Sequence, residues 1–133
     1  MTYKILTENS EDKLNVYDIG GATVKDNETY RVKDNTTLNN LVVSSTELKS
    51  MQSTRGHKHQ GQEEVYHFIS GYGKMELDDR QFHVKGGDIV LIPDGSFHRV
   101  HNTSEHGALY FICVLTVIKE NGFTNYSNDV EMG

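Results

Sequence analysis

The stretch MQSTRGHKHQGQEEVYHFISG, residues 51–71, and the later GDIVLIPDGSFHRVHN, residues 87–102, decide how this chain reads. His57 and His59 are two positions apart. On a strand, residues i and i+2 point to the same face with Cα atoms roughly 6.5–7 Å apart. Two imidazoles so placed can converge on one ion, each bonding at about 2.1 Å. Glu64 follows five residues after His59 and opens an aromatic and β-branched run in which Glu64, Tyr66 and Phe68 share a face. His98 stands far along the chain, just after the turn-forming Pro93-Asp94-Gly95. A His-x-His pair is also found on solvated strands, so spacing alone leaves both a metal site and a polar surface open.

Outward from this core, the chain reads as short strands. Residues 38–48 are rich in β-branched and apolar types, 50–54 are polar and turn-like, and 65–69 run into Gly71-Tyr72-Gly73. Met75-Glu76-Leu77 alternates, Asp78-Asp79-Arg80 predicts a hairpin turn, Phe82 and Val84 alternate again, and Gly86-Gly87 ends that strand. Residues 88–92, 97–102 and 108–118 complete the series. No window keeps a 3.6-residue apolar period, and many short strands at regular spacing indicate a sandwich or closed barrel. Residues 1–37 are harder to read: 4–6, 14–19 and 29–32 read as strands, with a short helix left open as the alternative. The polar tail from Lys119 reads equally as a surface arm or as disorder. At 133 residues the chain fits one domain spanning 1–133, its barrel at about 38–118.

The two quoted segments resemble the paired motifs of the cupins. The first motif, G-x5-H-x-H-x3,4-E-x6-G, matches at His57, His59, Glu64 and Gly71; the second, G-x5-P-x-G-x2-H-x3-N, matches throughout at Gly87, Pro93, Gly95, His98 and Asn102. The resemblance implies an all-β fold, a double-stranded β-helix or jelly-roll barrel. It also implies one divalent transition metal ion (Fe, Mn, Ni, Co or Zn) held by His57, His59, Glu64 and His98. Glu63 competes with Glu64 for the carboxylate role, but the six-residue gap to Gly71 selects Glu64. One position departs: the opening glycine of the first motif falls at Met51. Methionine tolerates positive φ badly, so a different type of turn is expected there. Gly87, Pro93 and Gly95 read as turn residues and Asn102 as a structural hydrogen-bonding group.

Same-face parity brings Tyr66 and Phe68 inward beside Glu64, with Val100 beside His98. Met75 and Leu77 are expected to add apolar wall, together with Tyr110, Ile112 and Val114 from the last strand. Tyr66 and Glu64 are the residues expected to take part in catalysis. His67, His83, His101 and His106 are expected at the surface, as are Glu76, Asp78, Asp79, Lys58 and Arg99. Cys113, the single cysteine, reads as a buried structural thiol.

Three neutral imidazoles and a carboxylate suit several divalent metals and leave room for a small molecule. Members resembling this chain include dioxygenases, sugar isomerases and lyases. The chain is therefore expected to oxygenate, isomerise or eliminate a small organic substrate, with non-catalytic, metal-containing binding of a small molecule or sugar, and sugar-phosphate isomerisation, as alternatives. Few basic residues point inward, which weighs against a phosphorylated sugar; Arg31 and Arg55 have directions that the pattern leaves open. A net charge of −6 without a basic run argues against nucleic acid and anionic membrane surfaces. The apolar run at 108–118 is too short to span a bilayer, which takes roughly 20 residues. The start of the chain shows no basic-then-apolar leader. A cytoplasmic homodimer is expected, the N-terminal strands completing the neighbour's sheet.

Overall fold

The structure, a computed structural model, describes residues 18–120 and 123–125. Its regular elements are all strands: β1 (Ala22–Asp26), β2 (Tyr30–Asn35), β3 (Leu41–Leu48), β4 (Glu64–Ser70), β5 (Tyr72–Leu77), β6 (Arg80–Lys85), β7 (Ile89–Ile92), β8 (His98–Asn102), β9 (Leu109–Thr116), β10 (Ile118–Glu120) and β11 (Phe123–Asn125). The larger sheet runs β1-β2-β3-β9-β4-β7 and the smaller β6-β5-β8, with neighbours antiparallel throughout. Among the described residues no helix is long and apolar enough to cross a membrane. This is the double-stranded β-helix that the motifs imply.

The two sheets close on a core of Val32, Val42, Leu48, Tyr66, Phe68, Met75, Val100, Leu109, Phe111 and Leu115, all essentially buried. β4 shows how alternation sets the layers: Glu64, Tyr66 and Phe68 are buried while Val65 and His67 face out. On β9 the inward residues are Leu109, Phe111, Cys113 and Leu115. The expected contribution of Tyr110, Ile112 and Val114 to the pocket is therefore overturned; these three take the other face. Pairing of Tyr66 with Cys113 and of Phe68 with Phe111 fixes that parity. The run is apolar at nearly every position, so periodicity could not choose a face.

Met51 corrects a second expectation. Its φ is 61°, so methionine takes the left-handed backbone that the expected change of turn would have avoided. Gly71 also has positive φ, and a Cβ there would lie 2.5 Å from the Ala108 carbonyl oxygen, which accounts for a glycine at that motif position.

Toward the ends, β1 was not foreseen; its mostly exposed ATVKD carries no apolar alternation. The strand expected at 14–19 is not continued at Asp18 and Ile19, and its earlier residues, like 4–6, lie outside the described residues. The start of the polar tail pairs as β10 with β11, and 126–133 lie outside the described residues.

Candidate functional site

Residues 52–57 run alongside β8 without forming a strand. Bridges join Ser53 to His101 and His57 to His98, and the His57 amide donates to the His98 carbonyl at 3.1 Å while the His98 amide donates back at 3.0 Å. The histidine pair therefore sits on an extended segment rather than in the strand that spacing predicts. The effect on the side chains is the same: the rings of His57 and His59 are 4.3 Å apart, and His98 lies 4.9 Å from the first and 5.7 Å from the second. One nitrogen from each of the three lies within 4.8 Å of the others, a cluster able to hold a metal ion.

Glu64 enters from β4. Its Oε1 is 3.4 Å from His59 Nε2 and its Oε2 is 3.6 Å from His98 Nε2. Glu63 is exposed, as its parity requires. Glu64 and His98 are each 3% exposed, while His57 and His59 are partly buried. The hydrogen bonds around it prepare the ring atoms. His98 Nδ1 faces the Ser96 carbonyl at 3.1 Å, and a carbonyl only accepts, so Nδ1 carries the proton and Nε2 presents its lone pair to the cluster. That Nε2, Glu64 Oε1 and His57 Nδ1 are buried with no hydrogen-bond partner. Orphaned lone pairs and a carboxylate oxygen gathered in one place are costly unless a cation satisfies them, so the residues present fit a divalent metal.

The electrostatics agree. Burial, reinforced by the neighbouring His59 and His98, presses His57 down to about 3, and burial takes His98 to about 4. Both are neutral imidazoles at pH 7, as metal ligands must be. Burial pushes the Glu64 carboxyl up to about 8, against the opposing pull of a hydrogen bond from Cys113.

Sequence reasoning missed two neighbours of this cluster. Cys113 is buried as expected, but its Sγ donates to Glu64 Oε2 at 3.5 Å. Only the register of β9 against β4 reveals that contact. Gln62 is 2% exposed; its Nε2 donates to the Thr116 carbonyl at 2.7 Å, while its Oε1 is buried without a partner. The period-two alternation through Glu64 could have flagged it.

Tyr66 is 1% exposed, its ring stacked on Phe111 at 5.1 Å and edge-on to His98 at 5.7 Å. Burial, with Glu64 beside it, holds its phenol well above the ordinary value. Asn102 is structural: its amide nitrogen donates to the carbonyls of Leu48 and Gly107 and its oxygen accepts from the Ser104 amide.

His67, His83 and His106 are exposed, but His101 is not the bland surface residue expected. Its Nε2 lies 2.5 Å from Glu76 Oε2 and its Nδ1 lies 2.6 Å from the Ser53 hydroxyl. The carboxylate only accepts, so the ring donates to Glu76, and its other nitrogen shares a hydrogen bond with the Ser53 hydroxyl. Glu76, expected as an ordinary surface carboxylate, is the anchor of that chain. Arg55 is exposed, and Arg31 lies with Lys33, Ser45, Glu47 and Tyr110 around a surface cavity of about 230 Å³.

Comparison with known proteins places these features in context. The family described as "Cupin domain" matches residues 46–115. An uncharacterized protein of Methanocaldococcus jannaschii is 44% identical over 46 residues, 35% of this chain and 37% of the relative. An oxalate-binding protein of Thermotoga maritima is 29% identical over 62 residues, 47% of this chain and 50% of the relative. The matched stretches thus span half or less of these curated relatives. The crystal structure of a predicted oxalate decarboxylase from Thermotoga maritima superposes with a TM-score of 0.62 at 20% identity, covering 74% of this chain and 95% of that one, a likeness of fold.

Proposed function

The chain belongs to the cupin domain family, and from that premise we propose that it is a metal-dependent protein acting on a small organic molecule at His57, His59, Glu64 and His98. The observation that carries the reading is the cluster of three imidazoles with the buried Glu64 carboxylate beside two of them, ring and carboxylate atoms left without hydrogen-bond partners. A divalent ion there would supply a positive centre that polarises an oxygen of the bound molecule. The protein's own part is to hold neutral imidazoles, fixed at His98 by Ser96, and to aim Glu64 with the Cys113 thiol. Tyr66, stacked on Phe111, closes the side of the cluster next to the packed core. Tyr66 and Glu64 remain the proposed participants in chemistry, Glu64 through its charge and Tyr66 through its hydroxyl.

The relative named as oxalate-binding and the neighbour titled as a predicted oxalate decarboxylase support a small carboxylate as the ligand class. The first of those names also supports the second reading, a non-catalytic binder that keeps the metal. A sugar-phosphate isomerase is disfavoured: Arg31 and Lys33 border the surface cavity beside Glu47, an outward position of β3, and Arg55 is exposed. The proposal extends to assembly as a homodimer in the cytoplasm.

Elemental analysis of purified protein should find close to one divalent transition metal per chain, lost in His57→Ala, His59→Ala and His98→Ala. Absence of metal even after reloading would sink the reading. With a substrate found, Glu64→Gln should cut turnover far more than it lowers folding stability, and Tyr66→Phe should cost roughly 10²-fold if its hydroxyl moves a proton. Ligand binding at the metal without turnover across a broad screen would select the binder.

A further inference from the structure

Gln62 is buried, yet the ligand set makes no use of it. Along 62–68 the burial alternates without a break: Gln62, Glu64, Tyr66 and Phe68 are 2%, 3%, 1% and 0% exposed, and Glu63, Val65 and His67 are exposed. In extended chain this puts Gln62 on the face of Glu64, one rung away, with Cα atoms roughly 6.5–7 Å apart. Phe68 and Tyr66 fill the packed core on one side of Glu64. Gln62 lies on the other side of Glu64 along the chain, away from that packed core.

The amide's orientation follows from its partner. Nε2 donates to the Thr116 carbonyl at 2.7 Å. A carbonyl can only accept, so the amide cannot be turned round without setting two acceptors against each other. Oε1 is therefore held as an acceptor, buried, with no hydrogen-bond partner. Buried acceptors are almost always matched by a donor. The charge of the centre narrows what supplies it: three neutral imidazoles, one carboxylate and a divalent cation leave one net positive charge, which favours an anion.

We infer that Gln62 is a specificity-determining residue whose Oε1 accepts a hydrogen bond from the bound molecule, so that the site selects small monoanionic carboxylates carrying an O–H or N–H donor next to the carboxylate. The inference rests on the metal reading proposed above. It also separates such acids from fully ionised oxalate, which offers acceptors only.

The test uses full-length protein loaded with cobalt(II), its uptake followed by visible absorption before any acid is added. Glycolate and acetate are then titrated calorimetrically into wild type and Gln62→Met. Because the glycolate hydroxyl can also reach the metal, the informative quantity is the change in the glycolate-to-acetate affinity ratio, which should fall about tenfold in Gln62→Met. An unchanged ratio means that the hydroxyl is read by the metal alone, with water as the partner of Gln62, and overturns the inference. Failure of both acids to bind cobalt-loaded wild type also overturns it. Failure of cobalt uptake instead strikes the metal reading itself, and this inference with it. Should Gln62→Met not fold, Gln62→Leu removes the same amide with a more compact apolar side chain. The ratio should fall there as well, and an unchanged ratio contradicts the inference.

Discussion

Met51 takes a left-handed backbone with φ of 61° although its side chain is 58% exposed and gains little from packing. That conformation costs an L-residue roughly 1–2 kcal/mol, part of which glycine returns as lost chain entropy. Met51→Gly is therefore expected to raise unfolding free energy by about 0.5–1 kcal/mol, readable as a shifted urea midpoint at constant slope. The buried titrating groups make a second residue-scale prediction. His57 and His98 have folded pKa values of about 3 and 4 against 6.5 unfolded, so their contribution is present above 6.5 and lost as pH falls. Glu64 has the opposite sign: its folded value of about 8 exceeds 4.5, so its contribution is present at low pH and lost as pH rises through 8. Two imidazoles outweigh one carboxyl below 6.5, and Glu64 acts alone above it. Metal-free protein should be most stable near pH 6.5 and lose stability toward both pH 4 and pH 8 in urea titrations. Metal uptake at pH 7 should release about one proton per ion, measured by calorimetry in buffers of different ionisation heat.

At the scale of elements, the segment that carries His57 is held to the smaller sheet by two kinds of bond. Backbone bonds fasten it to β8: Thr54 N donates to Val100 O at 2.8 Å and Asn102 N donates to Gln52 O at 2.8 Å. On the outside, Ser53 is hydrogen-bonded to His101, which donates to Glu76 on β5, so three lengths of chain are tied by side chains. His101→Ala removes both side-chain bonds while leaving the backbone ladder. It should cost about 1–2 kcal/mol of stability. It should also weaken metal affinity, because His57 lies four residues beyond Ser53 on the same segment. Unchanged metal affinity in a destabilised His101→Ala would show that the backbone bonds alone position His57.

For the whole molecule, the outer face of the larger sheet carries an apolar row across four strands: Leu91 pairs with Val65, Val65 with Val114, and Val114 with Val43. Ile89 and Leu91 are 62% and 67% exposed. A second copy covering this row would remove that surface from water, and a homodimer is the assembly proposed. The alternative route, N-terminal strands completing a neighbour's sheet, falls largely on residues outside those described. Light scattering should return about twice the 15.1 kDa of one chain for wild type, and Leu91→Asp should halve that mass. A single-chain mass for wild type at micromolar concentration would remove the dimer and leave the barrel intact.

What the sequence alone determined was local. The His57-x-His59 pair, Glu64 two positions from Tyr66 and His98 after the Pro93-Asp94-Gly95 turn were legible because period-two geometry and turn chemistry act over a few residues. Together with the motif spacing they carried the fold and the three-histidine cluster with Glu64. The contacts that tune this cluster were not legible. Cys113 reaches Glu64 across 49 positions, Ser53 reaches His101 across 48, and Gln62 finds Thr116 across 54. Each depends on strand register, and in β9, apolar at almost every position, no pattern distinguishes the face of Cys113 from that of Ile112 and Val114. Only the closed barrel, by pairing β9 with both β3 and β4, decides which of those side chains meet the site.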